Sequence, residues 1–207
     1  MVTVRKHDAG FTITELMVVV VIISLLAAVS TPLFSRDNNA RKGRDWAKVV
    51  AQLLQRARFQ AMGDRADIHV LLYRGHVDTW RKEQTGKYTL LSSVQGPAAY
   101  DTTTTTKTVA IWEALVNDLT TLPTGPNVPT GATLAESPAP TTLPAGHDIV
   151  FTSVGSATTS TDTTTPVTWR IFLRNELLPS GHPDSSFVIN VTGLTGFITS
   201  NDKVTLP

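Results

Sequence analysis

The sequence has no cysteine and only five histidines, which narrows the chemistry that it can support. Without cysteine there is no disulfide framework, no thiolate metal site and no cysteine nucleophile. A metal site needs three or four convergent ligands, and no stretch shows that spacing. We therefore expect no catalytic residue, no metal ion and no cofactor. Three pairs come nearest to a site, and each is expected at the surface or in a turn: His69 with His76, His147 with Asp148, and His182 with Asp184.

Charged residues are also missing from residues 16–34, which are almost entirely apolar up to Leu26. In a helix, these nineteen residues would extend about 28 Å, close to the thickness of a bilayer core. The sequence therefore predicts a transmembrane helix over residues 11–34. Glu15 comes directly before the uncharged run, and an ionisable group at that depth is costly unless it has a partner. A carboxylate at the level of the lipid headgroups is the alternative.

A short polar leader, residues 1–10, precedes this helix and contains Arg5 and Lys6. Basic residues before an apolar segment hold that end in the cytoplasm, so the rest of the chain is expected to cross the inner membrane. An ordinary secretory signal would instead be cleaved after small residues that follow its apolar region. Residues 27–30 (Ala-Ala-Val-Ser) are a poor version of that pattern, and cleavage there is the less favoured alternative.

The residues around the start of the helix follow a recognisable order. Gly10 is followed by Phe11, then by Glu15 four residues later, and then by the unbroken apolar run. This order resembles the type III signal of type IV prepilins and type II secretion pseudopilins. The resemblance implies that prepilin peptidase cleaves between Gly10 and Phe11 and that Phe11 is then N-methylated. It also implies that Glu15 pairs with the N-terminal amine of a neighbouring subunit and so sets the register between adjacent helices.

Pro32 lies near the end of the apolar run and is expected to break or kink the helix. It has no N–H to donate, and its ring clashes with the carbonyl four residues earlier. Residues 35–65 are expected to resume the helix and to end it near residues 63–64. The apolar residues of this part recur every three or four positions and form one stripe: Trp46, Val49, Val50, Leu53, Leu54, Ala57 and Ala61. A stripe of this kind is expected to lie against a β-sheet.

The remaining residues, 66–207, are expected to form a β-rich head. Apolar alternation and β-branched residues predict strands at 67–74, 77–82, 87–93, 108–112, 147–154, 166–174, 185–191 and 196–200. A helical turn is expected after the strand at 108–112. Stretches rich in Thr, Pro and Gly predict loop insertions near 100–108, 120–146 and 156–165.

Two parts of the chain also resemble the GspH/FimT-like group of pseudopilins and minor pilins. They are the end of the helix, residues 53–62, and the strands around Trp169 and Phe187. The DNA-binding members of that group carry arginines around the last glycine turn, whereas residues 193–197 here are Gly-Leu-Thr-Gly-Phe. Binding to phosphates depends on Lys or Arg. Nucleic acid is therefore not expected as a partner.

Together these patterns predict an α+β protein with a pilin-like fold. Its parts are a cleaved leader (1–10), a transmembrane and assembly helix (11–34), an amphipathic helix (35–65) and an antiparallel β-rich head (66–207). The expected role is structural and not enzymatic: a minor pilin or pseudopilin near the tip of a type IV pilus or type II secretion pseudopilus, where it helps to start assembly.

Expected partners are other pilins through the N-terminal helix, prepilin peptidase and the inner membrane. The N-terminus is expected in the cytoplasm and the head in the periplasm, before transfer to the fibre. Two alternatives remain open: a pilus-associated module that binds DNA or a surface, and a signal-anchored periplasmic domain unrelated to pili.

Overall fold

A computed structural model describes residues 12–97, 109–117, 127–128, 142–143, 147–179 and 181–201, with residues 29–37 described by their backbone alone. The chain divides into two compact units, Met1–Asn38 and Asn39–Pro207. One long helix and antiparallel strands make up the described part, which confirms the predicted α+β class.

The helix α1 covers Ile13–Asp64 and is followed by nine strands among the described residues. In chain order these are β1 (Ile68–Leu72), β2 (His76–Lys82), β3 (Tyr88–Gln95), β4 (Val109–Val116), β5 (His147–Phe151), β6 (Ala157–Thr159), β7 (Trp169–Asn175), β8 (Ser186–Val191) and β9 (Ile198–Asn201).

In the first unit, the described part of α1 exposes nearly all of its large apolar side chains. Eleven of them have between 47% and 79% of their surface exposed: Ile13, Leu16, Met17, Val18, Val19, Val20, Val21, Ile22, Ile23, Leu25 and Leu26. None of the helices, as far as they are described, has the length and apolar character needed to cross a membrane. The span predicted for residues 11–34 includes Phe11 and the side chains of 29–34, which lie outside the described residues.

In the second unit, the predicted apolar stripe of α1 forms one wall of the core. Trp46, Val50, Leu54, Ala57 and Ala61 are buried, and Val49 and Leu53 pack against the same core half-exposed. The helix ends at Asp64, as the sequence predicts, although the left-handed residue that stops it is Arg65 (φ 51°) and not Gly63. The Ala66 N–H donates to the Ala61 carbonyl at 3.3 Å and closes the last turn.

Two antiparallel sheets form the rest of this unit. The first has the strand order β3-β2-β1-β5-β6 and the second β4-β7-β8-β9. Apolar residues of both sheets share one core with the helix stripe: Ile68, Val70, Leu72, Val77, Ile149 and Phe151 from the first sheet, and Val109, Ile111, Trp169, Ile171, Leu173, Phe187, Ile189 and Val191 from the second. The helix therefore closes a core that the two sheets build together.

Two predictions about the strands are wrong. The residues after Trp112 do not form a helical turn, because β4 continues to Val116 and pairs with β7 along its whole length. The register shifts between Ile111 and Glu113, which indicates a β-bulge at Trp112 that turns the later side chains. Residues 156–165 are not wholly a loop insertion, since Ala157–Thr159 is strand β6 and pairs with β5. The predicted insertions at 100–108 and 120–146 lie outside the described residues, apart from 127–128 and 142–143.

Candidate assembly site

The start of α1 is closed by reciprocal hydrogen bonds between Thr12 and Glu15. The Glu15 N–H donates to Thr12 Oγ1 at 3.2 Å, and the Thr12 N–H donates to Glu15 Oε2 at 2.9 Å. The Thr12 hydroxyl also donates to Glu15 Oε2, at 2.8 Å. This arrangement is a capping box, in which two side chains satisfy backbone N–H groups that a helix start leaves free. Its sequence signature is Thr-x-x-Glu at residues 12–15, a local pattern that by itself predicts this start of the helix.

The capping box fixes where the Glu15 carboxylate lies. Both bonds from Thr12 end on Oε2, and the residue is exposed. A carboxylate can accept about four hydrogen bonds, so Oε1 is left for a further donor. The carboxylate is therefore held at the first turn of the helix and is also able to accept a bond from another group, such as an amine.

Of the residues predicted for processing and for a break in the helix, only Pro32 lies in the described part of the chain, and only by its backbone. Gly10 and Phe11 lie outside the described residues, so cleavage between them and methylation of Phe11 stay predictions. The backbone of α1 is assigned as helix through position 32, so Pro32 does not end the helix. A kink or local loosening at Pro32 stays a prediction, because its side chain also lies outside the described part.

Two of the three predicted pairs are not surface features: His69 and His76 are both buried, and Asp148 is buried next to a half-buried His147. His69 Nδ1 lies 2.8 Å from Asp148 Oδ2, and both side chains are only 4% exposed. His76 Nε2 lies 3.8 Å from Asp78 Oδ2, and Asp78 is fully buried. Only His182 fits the prediction: its Nδ1 accepts the Asp184 N–H at 3.1 Å in a turn.

The His69–Asp148 and His76–Asp78 pairs lie on the face of the first sheet that is turned away from α1. The alternation of β1 puts His69, Leu71 and Tyr73 on this face, and β2 adds Asp78 and Trp80. Burial, followed by the charges of Asp78 and Asp148, raises the pKa of Tyr73 to about 12. Burial also lowers the pKa of His76, although the nearby Asp78 opposes that shift. The face is thus a buried polar layer that holds Tyr73 and His76 in their neutral forms.

The polar layer is only partly hydrogen-bonded within the part of the chain that the structure describes. Several of its buried atoms have no hydrogen-bond partner, namely His69 Nε2, Tyr73 Oη, His76 Nε2, Trp80 Nε1, Asp148 Oδ1 and both oxygens of Asp78. Within the described ranges, no group of three or more metal-ligating side chains is arranged to hold an ion. His69 and Asp148 lie on the adjacent strands β1 and β5, whereas His76 and Asp78 lie two residues apart on β2. The sequence signal that could have found both pairs is the alternation at 69, 71, 73 and at 76, 78, 80.

Two polar contacts between side chains join the first sheet to the second. Arg74 Nη2 donates to Glu176 Oε1 at 2.8 Å, and Trp112 Nε1 donates to the same oxygen at 2.9 Å. His147 Nε2 lies 3.3 Å from Glu113 Oε1. None of these residues is adjacent to its partner in the sequence, so only the fold brings them together. They join residues at the ends of β1, β5 and β7 and in the middle of β4.

The last glycine turn lies against the end of α1. A Cβ atom on Gly196 would clash with the carbonyl oxygen of Gly155 and would lie 3.0 Å from Arg58 Cδ. Arg58 Nε donates to the Gly155 carbonyl at 3.4 Å. The turn itself carries no base, as the sequence shows, but the fold brings Arg58 of the helix to its foot.

Residues 5–31 match the family model described as the prokaryotic N-terminal methylation motif. The match includes Gly10, Phe11 and Glu15, so the resemblance predicted from these residues is confirmed for this segment. The chain carries a motif that is typical of type IV pilin-like and pseudopilin-like prepilins. Comparison of the chain with curated proteins and with solved structures gave no match.

Proposed function

We propose that this chain is a structural subunit of a type IV pilus or of a type II secretion pseudopilus. The observation that carries the proposal is the N-terminal methylation motif at residues 5–31. In this reading, prepilin peptidase removes residues 1–10 and methylates the new N-terminus, Phe11. The chain is the substrate of that enzyme and has a structural role itself.

The apolar half of α1 supports the assembly role. Eleven of its large apolar side chains are exposed, far more than a chain that acts alone in water would leave uncovered. Before assembly, the lipid of the inner membrane would cover this surface, with the N-terminus in the cytoplasm and the head in the periplasm. In the fibre, the helices of other pilins would replace the lipid by close packing.

Glu15 would give this packing its register. Cleavage after Gly10 leaves the amine of Phe11 four residues before Glu15, and the corresponding amine of a neighbouring subunit could donate to Oε1. A buried carboxylate without a partner costs several kcal/mol in effective terms. Only the alignment that brings amine and carboxylate together removes that cost, so other alignments are disfavoured.

The head supports a minor rather than a major subunit. It covers residues 66–207, has Thr-rich and Pro-rich insertions, and has no cysteine for a C-terminal disulfide. A place at or near the fibre tip, where the subunit helps to start assembly, fits a head that differs in this way from the abundant subunits.

Intact-mass measurement of the protein isolated from its native membrane tests the processing. We expect the loss of residues 1–10 and the gain of one methyl group. A chain that keeps its leader would rule out the proposal and favour an ordinary anchored domain. A chain that is cleaved within the stretch 27–30 would also rule it out and would favour an ordinary secreted domain.

The substitution Glu15→Gln tests the register. Glutamine can still close the capping box with Thr12 but cannot pair with an amine as a charge. We expect the variant to be processed and membrane-bound as the native chain is, but to be lost from sheared fibres. Equal recovery of both chains in the fibre fraction would refute the role of Glu15.

The alternative of a DNA-binding module has weaker support. The turn at residues 192–197 has no Lys or Arg to contact phosphates. A gel shift of DNA with the purified protein at low salt distinguishes a structural subunit from a DNA-binding module. We expect the protein not to retard the DNA.

A further inference from the structure

Two adjacent turns of the head expose large apolar side chains at their tips. Val154 is 80% exposed in the turn after β5, and Leu194 and Phe197 are 78% and 57% exposed in the turn after β8. Phe59, on the neighbouring part of α1, is 62% exposed. We refer to these four side chains as the turn-tip surface. Isolated exposed apolar residues are ordinary, but four on touching segments call for an apolar partner.

The fold holds the two turns together firmly. The Ala157 N–H donates to the Gly193 carbonyl at 2.8 Å, which ties the first turn to the second. Gly155 and Gly196 both have positive φ, and neither has room for a side chain, since a Cβ on Gly155 would lie 2.7 Å from Met62 Sδ. The turn-tip surface is therefore presented on a fixed scaffold that rests on the end of α1.

The two turns carry no charged side chain, and several of their polar groups form hydrogen bonds within the turns. Residues 152–156 and 192–197 contain no charged side chain. The Gly155 and Gly196 N–H groups donate back to Thr152 and Thr192, both at 2.7–2.8 Å, and the Thr152 and Ser156 hydroxyls bond to each other at 2.6 Å. Backbone groups that are already paired can enter an apolar medium at little cost, whereas unpaired ones cannot.

Arg58 supplies a basic group at the foot of both turns. Its Nε bonds to the Gly155 carbonyl at 3.4 Å, and its guanidinium carbon lies 5.7 Å from the centre of the Phe59 ring. Apolar tips above a basic group match the layering of an anionic bilayer, with hydrocarbon beyond a negative headgroup region. A protein partner fits less well, because stable protein interfaces bury about 800 Å² per partner and four side chains cannot supply that area.

From these observations we propose that the turn-tip surface docks on anionic lipid bilayers, with Val154, Leu194, Phe197 and Phe59 entering the interface and Arg58 meeting the headgroups. This inference goes beyond the proposed function and does not depend on it. Every residue of the turn-tip surface, and Arg58 with it, belongs to the second compact unit, Asn39–Pro207.

The test uses the full chain with its apolar helix already held in a nanodisc of zwitterionic lipid. Because the chain has no cysteine, Ser153→Cys gives a single site for an environment-sensitive dye beside Val154. We expect vesicles that contain anionic lipid to shift the dye emission to the blue, with partition roughly fivefold stronger than to zwitterionic vesicles.

Leu194→Asp, made in the labelled chain, is expected to weaken partition at least tenfold. Gln84→Asp is the matched control, because it adds the same charge to the exposed β2–β3 turn, and it is expected to change partition less than twofold. Equal thermal unfolding of the three chains shows that the fold is unchanged. A dye that does not respond to vesicles, or equal effects of the two substitutions, would overturn the proposal. A shift that grows with protein concentration in the absence of vesicles would overturn it in favour of contact between copies.

Discussion

His69 and Asp148 are diagonal neighbours on the paired strands β1 and β5, with 2.8 Å between His69 Nδ1 and Asp148 Oδ2, and each side chain is 4% exposed. His69→Leu would leave the Asp148 carboxylate buried without this partner, so we expect the free energy of unfolding to fall by about 3 kcal/mol. Urea unfolding measures this loss. The double variant His69→Leu/Asp148→Leu is expected to lose less than the sum of the two single variants. Strict additivity would show that the two groups do not interact.

Arg65 follows α1 with a φ of 51°, a backbone conformation that costs a residue with a Cβ more than it costs glycine. We expect Arg65→Gly to raise the free energy of unfolding by about 0.5–1 kcal/mol. Arg65→Ala is the control, because alanine keeps the Cβ penalty and should give no gain. If both variants gained equally, the effect would come from removing the arginine side chain.

Gly196 and Gly181 both have positive φ, at 59° and 83°, but their surroundings differ. A Cβ on Gly196 would clash with the Gly155 carbonyl, whereas a Cβ on Gly181 has nothing within 4 Å. We expect Gly196→Ala to destabilise by more than about 2 kcal/mol and Gly181→Ala by about 1 kcal/mol. Thermal unfolding of the two variants separates the cost of the positive φ, which both positions share, from the clash, which only Gly196 has. Equal losses of stability would mean that the turns that contain Gly155 and Gly196 can move apart.

Burial lowers the pKa of His76 below its ordinary value of 6.5. The unfolded chain therefore binds a proton at this residue more readily than the folded chain does, and stability is lost as the pH falls below about 6.5. The His76 ring stacks on Tyr73 with 4.4 Å between the ring centroids. We expect His76→Phe, which can keep this stacking, to reduce the loss of stability between pH 7.5 and 5.5. An unchanged pH dependence in His76→Phe would contradict the assignment.

Thr12→Ala removes the hydroxyl of the capping box and leaves the charge of Glu15 in place. The loss of an N-cap costs about 1 kcal/mol, so we expect the Glu15 amide to exchange with deuterium roughly fivefold faster in a micelle-bound chain. Thr12→Ser retains a hydroxyl and should exchange at the native rate. Equal rates in all three chains would show that the capping box does not form in lipid.

The sequence alone was sufficient for the elements with a strong local signal. The order Gly10, Phe11, Glu15 and the apolar run identify the methylation motif, because the processing signal is a linear one. The stripe from Trp46 to Ala61 predicts the buried face of α1, because its period is that of the helix itself. The end of the helix near residues 63–64 is predicted as well, but the left-handed residue that stops it, Arg65, is not.

Strand ends and the short strand β6 were harder to predict. Ala157–Thr159 has too few residues to show alternation, and it is a strand only because β5 offers it an edge. Val116 belongs to β4 because β7 extends that far. In both cases the pairing partner is distant in the sequence, so no local pattern contains the information.

What the sequence by itself determined is the processing motif, the long helix and the α+β class, each encoded in neighbouring residues. The tertiary structure decided which polar groups are buried, how the two sheets are linked, and that two uncharged turns meet above Arg58. These features depend on residues far apart in the chain, such as His69 with Asp148 and Arg74 with Glu176. Their contacts form only when the two sheets and the helix close one core, because burial and strand register, and not local preference, set the distances between them.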